Sequence, residues 1–169
     1  MLFSEEYQNQ LKDMHNSRTW GTTAAAYIKV IKQFLPETGT VLDYGSGIGG
    51  FKKALGPTPL QIIEYEPAKP ELANNNIPCD FVVCIDVLEH IEPELIDNVL
   101  DDLQRCALQG GYFMISCKLA RKTLPDGRNA HLIVEPPDWW ESKLKERFRI
   151  VKHRKTDTAY WVEVAKKRA

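Results

Sequence analysis

Residues 41–49 read Val-Leu-Asp-Tyr-Gly-Ser-Gly-Ile-Gly, an apolar pair, an acid, and then glycines at alternate positions. Glycine turns with positive φ and lets a ligand approach bare backbone. A glycine loop between strand and helix is where α/β sheets bind nucleotides. The spacing is not the phosphate-cradling G-x-x-x-x-G-K-[ST]. Asp43, two residues before Gly45, would repel a pyrophosphate and suits a cationic ligand. A second acidic group lies in Ile62-Ile63-Glu64-Tyr65-Glu66-Pro67, where Glu64 and Glu66 share one strand face. Glu66 is favoured, because ligands bind at the carboxyl ends of strands. A third group is Asp86-Val87-Leu88-Glu89-His90, whose Asp86, Glu89 and His90 share a face if the turn is helical. His131 closes a long polar loop. Carboxylates and imidazoles of this kind can move protons or ligate a divalent ion.

The elements that must position these groups follow from periodicity and punctuation. Ser4 before Glu5 and Glu6 reads as the cap of a short helix to about residue 14. A loop at 15–21 carries Trp20, and a helix over 24–35 follows. Strands are expected at 40–43, 60–65, 81–85, 112–117, 148–152 and 160–165. Helices are expected at 50–55, from Pro93 to about 108 with Gly110-Gly111 as its stop, and over 136–146. The segment 68–80 holds prolines and Asn74-Asn75-Asn76 and reads as irregular connection. The loop 118–132 is long for a compact domain, as lids and binding loops are. Alternating strands and helices imply a single α/β domain over 1–169, with a mostly parallel, doubly wound sheet and an antiparallel closing hairpin. Residues 1–20 form an N-terminal extension or lid.

These residues together resemble class I S-adenosylmethionine (SAM)-dependent methyltransferases, over roughly residues 20–169. The resemblance implies a Rossmann-like fold. It implies that Asp43, Gly45, Ser46, Gly47 and Gly49 pack against the methionine and ribose parts of SAM. Glu66 would accept hydrogen bonds from the ribose hydroxyls, with Asp86 and Val87 completing the cofactor site. The family's seven-stranded sheet has a third strand after the Glu66 position. Here only about a dozen residues separate Glu66 from Asp80, too few for a helix and a strand. That strand is expected to be missing or reduced, leaving adenine to the loop 74–80 and a bare sheet edge through which a homodimer could form.

The same resemblance sets expectations for the acceptor. Asp86–His90 looks like the D-V-L-E-H of ubiquinone-biosynthesis-type and related small-molecule methyltransferases. With Thr123–Val134 and Tyr65–Ala68, the chain is similar to compact bacterial and phage methyltransferase-domain proteins. Asp86, His90 and His131 are the candidate catalytic groups. Trp20, Lys118, Arg121, Arg128 and His131 are candidates for acceptor binding, the cations suiting an anionic group. The set Asp86, Glu89, His90 and His131 also resembles the metal ligands of small-RNA 3′-end ribose methyltransferases, but with Asp for the first Glu, and no metal is expected. No Asn-Pro-Pro-Tyr motif follows Ile85, which argues against adenine amino-methylation in DNA. Pro78-Cys79 precedes its strand, so Cys79 reads as structural. The expected activity is methyl transfer from SAM to oxygen or nitrogen of a small molecule. The alternatives are an RNA- or nucleotide-directed enzyme and a catalytically silent SAM-binding module.

Bulk composition agrees. A net charge of −1 over 169 residues creates no field that draws the chain to nucleic acid or membrane. Apolar runs such as Phe81–Ile85 are far too short to span a bilayer. The start, Met1-Leu2-Phe3-Ser4-Glu5-Glu6, lacks the basic and apolar regions of a signal peptide. The four cysteines form no C-x-x-C pair and read as buried thiols of a reducing, cytoplasmic setting.

Overall fold

The computed structural model describes residues 1–7, 9–10 and 23–167. Its strands are β1 (Gly39–Tyr44), β2 (Leu60–Tyr65), β3 (Cys79–Ile85), β4 (Ala107–Ser116), β5 (Phe148–Lys155) and β6 (Ala159–Lys166). The helices are α1 (Thr23–Ala26), α2 (Ile28–Ile31), α3 (Gly50–Leu55), α4 (Ile96–Cys106) and α5 (Pro137–Arg147). Short 3₁₀ turns occupy Leu88–His90 and Pro93–Leu95. The strands form one sheet in the order β2-β1-β3-β4-β6-β5. The first four run parallel, and β6 inserts antiparallel between β4 and β5.

Period-two alternation divides the strands between two cores. Leu42, Val82, Cys84, Phe113 and Ile115 face α4 and α5, where Leu100, Leu103, Trp140 and Leu144 cover them. Val41, Val83, Ile85, Tyr112 and Met114 face the other way, onto Ile31, Phe51 and Leu55. The stripe expected on α4 is present, with Ile96, Val99, Leu100 and Leu103 all buried. Truncating a buried leucine such as Leu103 to Ala would cost about 2–5 kcal/mol. With both faces covered, the sheet is a doubly wound frame whose parallel carboxyl ends all open on one side.

The expected helix over 24–35 is instead two single turns, α1 and α2, parted at Tyr27 (φ −102°, ψ 13°). There the Tyr27 ring turns edge-on to Trp161, with centroids 4.6 Å apart. The pair Gly110-Gly111 does not stop α4, because β4 begins directly at Ala107. A Cβ at Gly110 would fall on the Val164 carbonyl oxygen, and one at Gly111 would lie 2.6 Å from the Val82 oxygen. These glycines let β4 approach β6 and β3. Residues 66–78 form turns rather than a strand, so β2 is the sheet edge. Asn75 donates to the Glu64 carbonyl (3.0 Å), which caps part of that edge. Asn76 and Arg105 both bond Asp102, and Arg105 also bonds the Asn76 carbonyl. The short connection is thereby fastened to α4.

Candidate active site

The loop after β1 is built on left-handed glycines, with φ of 77° at Gly45, 54° at Gly47 and 78° at Gly49. Gly45 and Ser46 both donate their N–H to the Tyr65 carbonyl, each at 2.9 Å. That joins the ends of β1 and β2. A Cβ at Gly45 would lie 2.6 Å from Val87 Cγ2, so the loop needs glycine for room as well as for φ. Gly47 N–H donates to Glu66 Oε2 (2.8 Å), and Ala68 N–H donates to Oε1 (3.0 Å). Glu66 is thus held rigidly at the mouth, and each of its oxygens can accept two hydrogen bonds.

Asp43 is 4% exposed, and its Oδ2 has no hydrogen-bond partner in the structure. Burial, followed by the charges of Glu64 and Glu66, pushes its carboxyl up to about 8. Ser46 Oγ is likewise buried without a partner. Two unsatisfied polar groups beside a glycine cradle are costly unless a ligand meets them. Of the two acids that act on Asp43, Glu64 is paired with Lys52 at 3.2 Å, and the carboxylate of Glu66 at the mouth favours a ligand with hydroxyl donors and positive charge. SAM fits on both counts.

The cavity above this loop is lined by Asp43, Gly45, Ser46, Gly47, Glu66, Asp86, Val87 and His90, all anticipated from sequence. Gly49 stands one step back as the N-cap of α3. The wall near Glu66 is completed by Tyr65, Pro67 and Val99. Residues 74–80, expected to hold adenine, are not among the lining residues.

At the far end stands Asp86, the one described non-glycine residue with positive φ (61°). Its N–H still donates to the Met114 carbonyl (2.9 Å), so the strain falls just past the end of β3. Thr23 Oγ1 donates to Asp86 Oδ2 (2.7 Å). The 3₁₀ turn carries His90 to the same place, where Nδ1 donates to the Ala130 carbonyl (2.7 Å). His131 Nδ1 donates to the Lys118 carbonyl (2.6 Å). The two imidazoles meet edge to face, with centroids 4.7 Å apart. Asp86, His90 and His131 each present a ligand atom within 4.8 Å of the others. Glu89 does not join them. Its Oε1 accepts the Ser116 N–H (2.6 Å), and burial, then the charge of Asp86, holds its carboxyl well above the usual range.

A lid over residues 1–20 was expected from sequence, but the particular residues that line the cavity on this side were not. Phe3, Tyr7, Thr23 and Ala24 line the cavity. Ser4 caps the N-terminal turn through Tyr7 N–H (3.1 Å), and its hydroxyl and amide both bond Glu92. Tyr7 packs on Leu124 and Ala130 of the loop 118–132. That loop folds as a small hairpin with a Thr123–Asn129 bridge. Lys118, Arg121 and Arg128 lie exposed on it, outside the cavity lining, and Arg128 pairs with Asp126 at 2.7 Å. Trp20 lies outside the described residues. Trp140 is fully buried and Trp161 packs in the second core, as structural residues.

A six-stranded sheet of this order, with a glycine loop after β1 and an acid after β2, defines a class I SAM-dependent methyltransferase. A model of the methyltransferase domain family matches residues 19–159, and the chain belongs to that family. Solved structures share the fold at low identity. The 1,6-didemethyltoxoflavin-N1-methyltransferase of Burkholderia thailandensis, solved with 1,6-didemethyltoxoflavin and S-adenosylhomocysteine, superposes with a TM-score of 0.67 at 16% identity, covering 96% of this chain and 89% of that one. A possible histamine N-methyltransferase of Thermotoga maritima gives 0.64 at 13%, covering 95% and 100%. The N-methyltransferase NodS of Bradyrhizobium japonicum, in complex with S-adenosylhomocysteine, gives 0.61 at 12%, covering 97% and 98%. No protein of curated function matches the chain by sequence. Among the described residues no helix is long and apolar enough to cross a membrane.

Proposed function

We propose that this chain transfers the methyl group of SAM to oxygen or nitrogen of a small molecule. The observation that carries this reading is what lines the cavity. Phe3 and Tyr7 roof it, while the exposed cations of the loop 118–132 stand outside its lining. A roofed cavity suits a small acceptor, and among the described residues the outward cations form no basic channel for a nucleic-acid strand. Structural neighbours named for N-methylation of small molecules support the same class.

In this reading Asp43, Ser46 and the glycine loop hold the methionine and ribose parts of SAM, and Glu66 takes the ribose hydroxyls. Bound SAM supplies an electrophilic methyl on a sulfonium. The chain's own contribution is largely placement, because in-line displacement draws much of its rate from proximity and orientation. His90 or His131 takes the acceptor's proton at Nε2, since Nδ1 of each ring carries its hydrogen toward a carbonyl. The roof keeps water from the reacting atoms.

Calorimetry with SAM should show saturable binding of one equivalent, and no heat at millimolar ligand would sink the reading. Incubation with SAM and a panel of small phenols, amines and heteroaromatics should then give a methylated product by mass spectrometry. Methylation confined to added RNA would replace the small-molecule assignment with the nucleic-acid one.

A further inference from the structure

Most hydroxyls around the cavity are committed to protein partners. Thr23 Oγ1 donates to Asp86, and Tyr44 OH donates to Asp102. Those of Ser46 and Tyr7 have no hydrogen-bond partner among the described residues. Ser46 belongs to the glycine loop, but Tyr7 comes from the roof. To cover the cavity, Tyr7 needs only its ring, which is 1% exposed and packs on Leu124 and Ala130. Phe3 lines the same roof without a hydroxyl. A phenylalanine at position 7 would pack as well and would spare the cost of an unmatched buried donor. The ring is held in place, because Ser4 Oγ accepts the Tyr7 N–H (3.1 Å) and donates to Glu92 (2.6 Å). Burial, followed by the charge of Glu92, pushes the phenol upward, so the hydroxyl keeps its proton and remains a donor. The charges of Glu66 and Glu89 also act on it, yet no carboxylate accepts from it.

We propose that Tyr7 is a cofactor-binding residue whose hydroxyl donates to the carboxylate on the methionine part of SAM. That carboxylate is the one anionic group of SAM, and hydrogen bonds to an ionised acceptor are the strong ones. Asp43, Glu66 and Asp86 line the same cavity, and ionised carboxylates accept but do not donate. The anionic end of SAM therefore depends on donors of another kind. Tyr7 offers one with no competing partner. A phenol also suits the other end of the ligand. A lysine or arginine on the roof would bind the carboxylate but repel the nearby sulfonium, whereas a neutral hydroxyl adds no charge. Because Tyr7 belongs to the N-terminal turn, the bond would tie the roof to the cofactor beneath it. This role rests on the cavity being the SAM site.

The test is calorimetry of full-length wild type and Tyr7→Phe with two ligands. S-adenosylhomocysteine carries the amino-acid carboxylate. 5′-Methylthioadenosine keeps the nucleoside and the sulfur but lacks the amino acid. Tyr7→Phe should bind S-adenosylhomocysteine about 10- to 100-fold more weakly, as expected for a lost hydrogen bond to a charged group. It should bind 5′-methylthioadenosine as wild type does. Its melting temperature without ligand should equal or exceed that of wild type, because an unmatched buried hydroxyl has been removed. Unchanged affinity for S-adenosylhomocysteine overturns the proposal and leaves the SAM site standing. Equal losses for both ligands overturn it by assigning the hydroxyl to the nucleoside, and a lower melting temperature without ligand overturns it by assigning the hydroxyl to the fold. Failure of wild type to bind S-adenosylhomocysteine removes the SAM site itself, and this role of Tyr7 with it.

Discussion

Asp43 shows what a buried acid costs the fold, a cost that its proposed role in SAM binding would explain. Buried beside Glu64 and Glu66, it titrates near pH 8 rather than in the ordinary carboxylate range. Between those two values the folded protein holds a proton that the unfolded chain has lost. The stability gained from that proton is full at low pH and drains away as pH rises toward 8. Asp43→Asn removes this dependence, so its ligand-free melting temperature should exceed that of wild type above about pH 8. In the proposed site the charged form is the one that meets SAM. At neutral pH wild type should therefore release a proton on binding, seen as a heat that varies with buffer ionisation enthalpy. Asp43→Asn should release less and bind about tenfold or more weakly, as expected for a lost hydrogen bond to a charged group. Equal proton release in both proteins would show that Asp43 is not the group responsible. The position of Asp43 was legible in sequence, because the loop spacing announces it. Its protonation was not, because that depends first on burial in the folded sheet and then on the charges of Glu64 and Glu66 alongside.

Elements show where local signals mislead. Two glycines after an amphipathic run read as a helix stop, yet Gly110 and Gly111 lie within β4. Their reason is tertiary, the approach of the Val164 and Val82 carbonyls, which no local pattern encodes. Gly110→Ala should force β4 from β6 and cost several times more than Gly56→Ala. At Gly56 φ is 71° but nothing lies within 4 Å of the added carbon, so only backbone strain of about 1–2 kcal/mol is paid. Urea midpoints of the two variants test this, and comparable losses would show that β4 shifts freely. By contrast, α3 and β2 fall where punctuation put them, because Gly49 and Gly56 bracket one and the Pro57-to-Pro67 interval holds the other. The N-terminal roof was half legible. Ser4 was readable as a cap, but its second partner, Glu92, lies 88 residues away.

At the scale of the molecule, the missing third strand is the departure that organises the rest. It was legible as a shortage of residues between Glu66 and Asp80, but what replaces it was not. The replacement is a set of side chains centred on Asp102 of α4. Tyr44 OH and Asn76 Nδ2 each donate to its Oδ2 (2.9 Å), and Arg105 donates to Oδ1. Tyr44 in turn packs on Tyr65, with centroids 4.7 Å apart, and both rings line the cavity. One carboxylate therefore couples the connection 66–78, the ends of β1 and β2, and the helix beneath them. Removing it leaves two such donors unmatched at once, the buried Tyr44 hydroxyl and the half-buried Asn76 amide, and such groups cost about 1–3 kcal/mol each. Asp102→Ala should accordingly lower stability by more than about 2 kcal/mol and weaken SAM binding without any contact to the ligand. It should also release Asn75 from the Glu64 carbonyl, since both asparagines sit on the connection that Asp102 fastens. An uncapped β2 edge invites pairing with a second copy. Light scattering of Asp102→Ala should then show concentration-dependent self-association beyond that of wild type. A variant with unchanged mass, melting temperature and SAM affinity would show that the short connection holds itself in place, and that the edge needs no guard from α4.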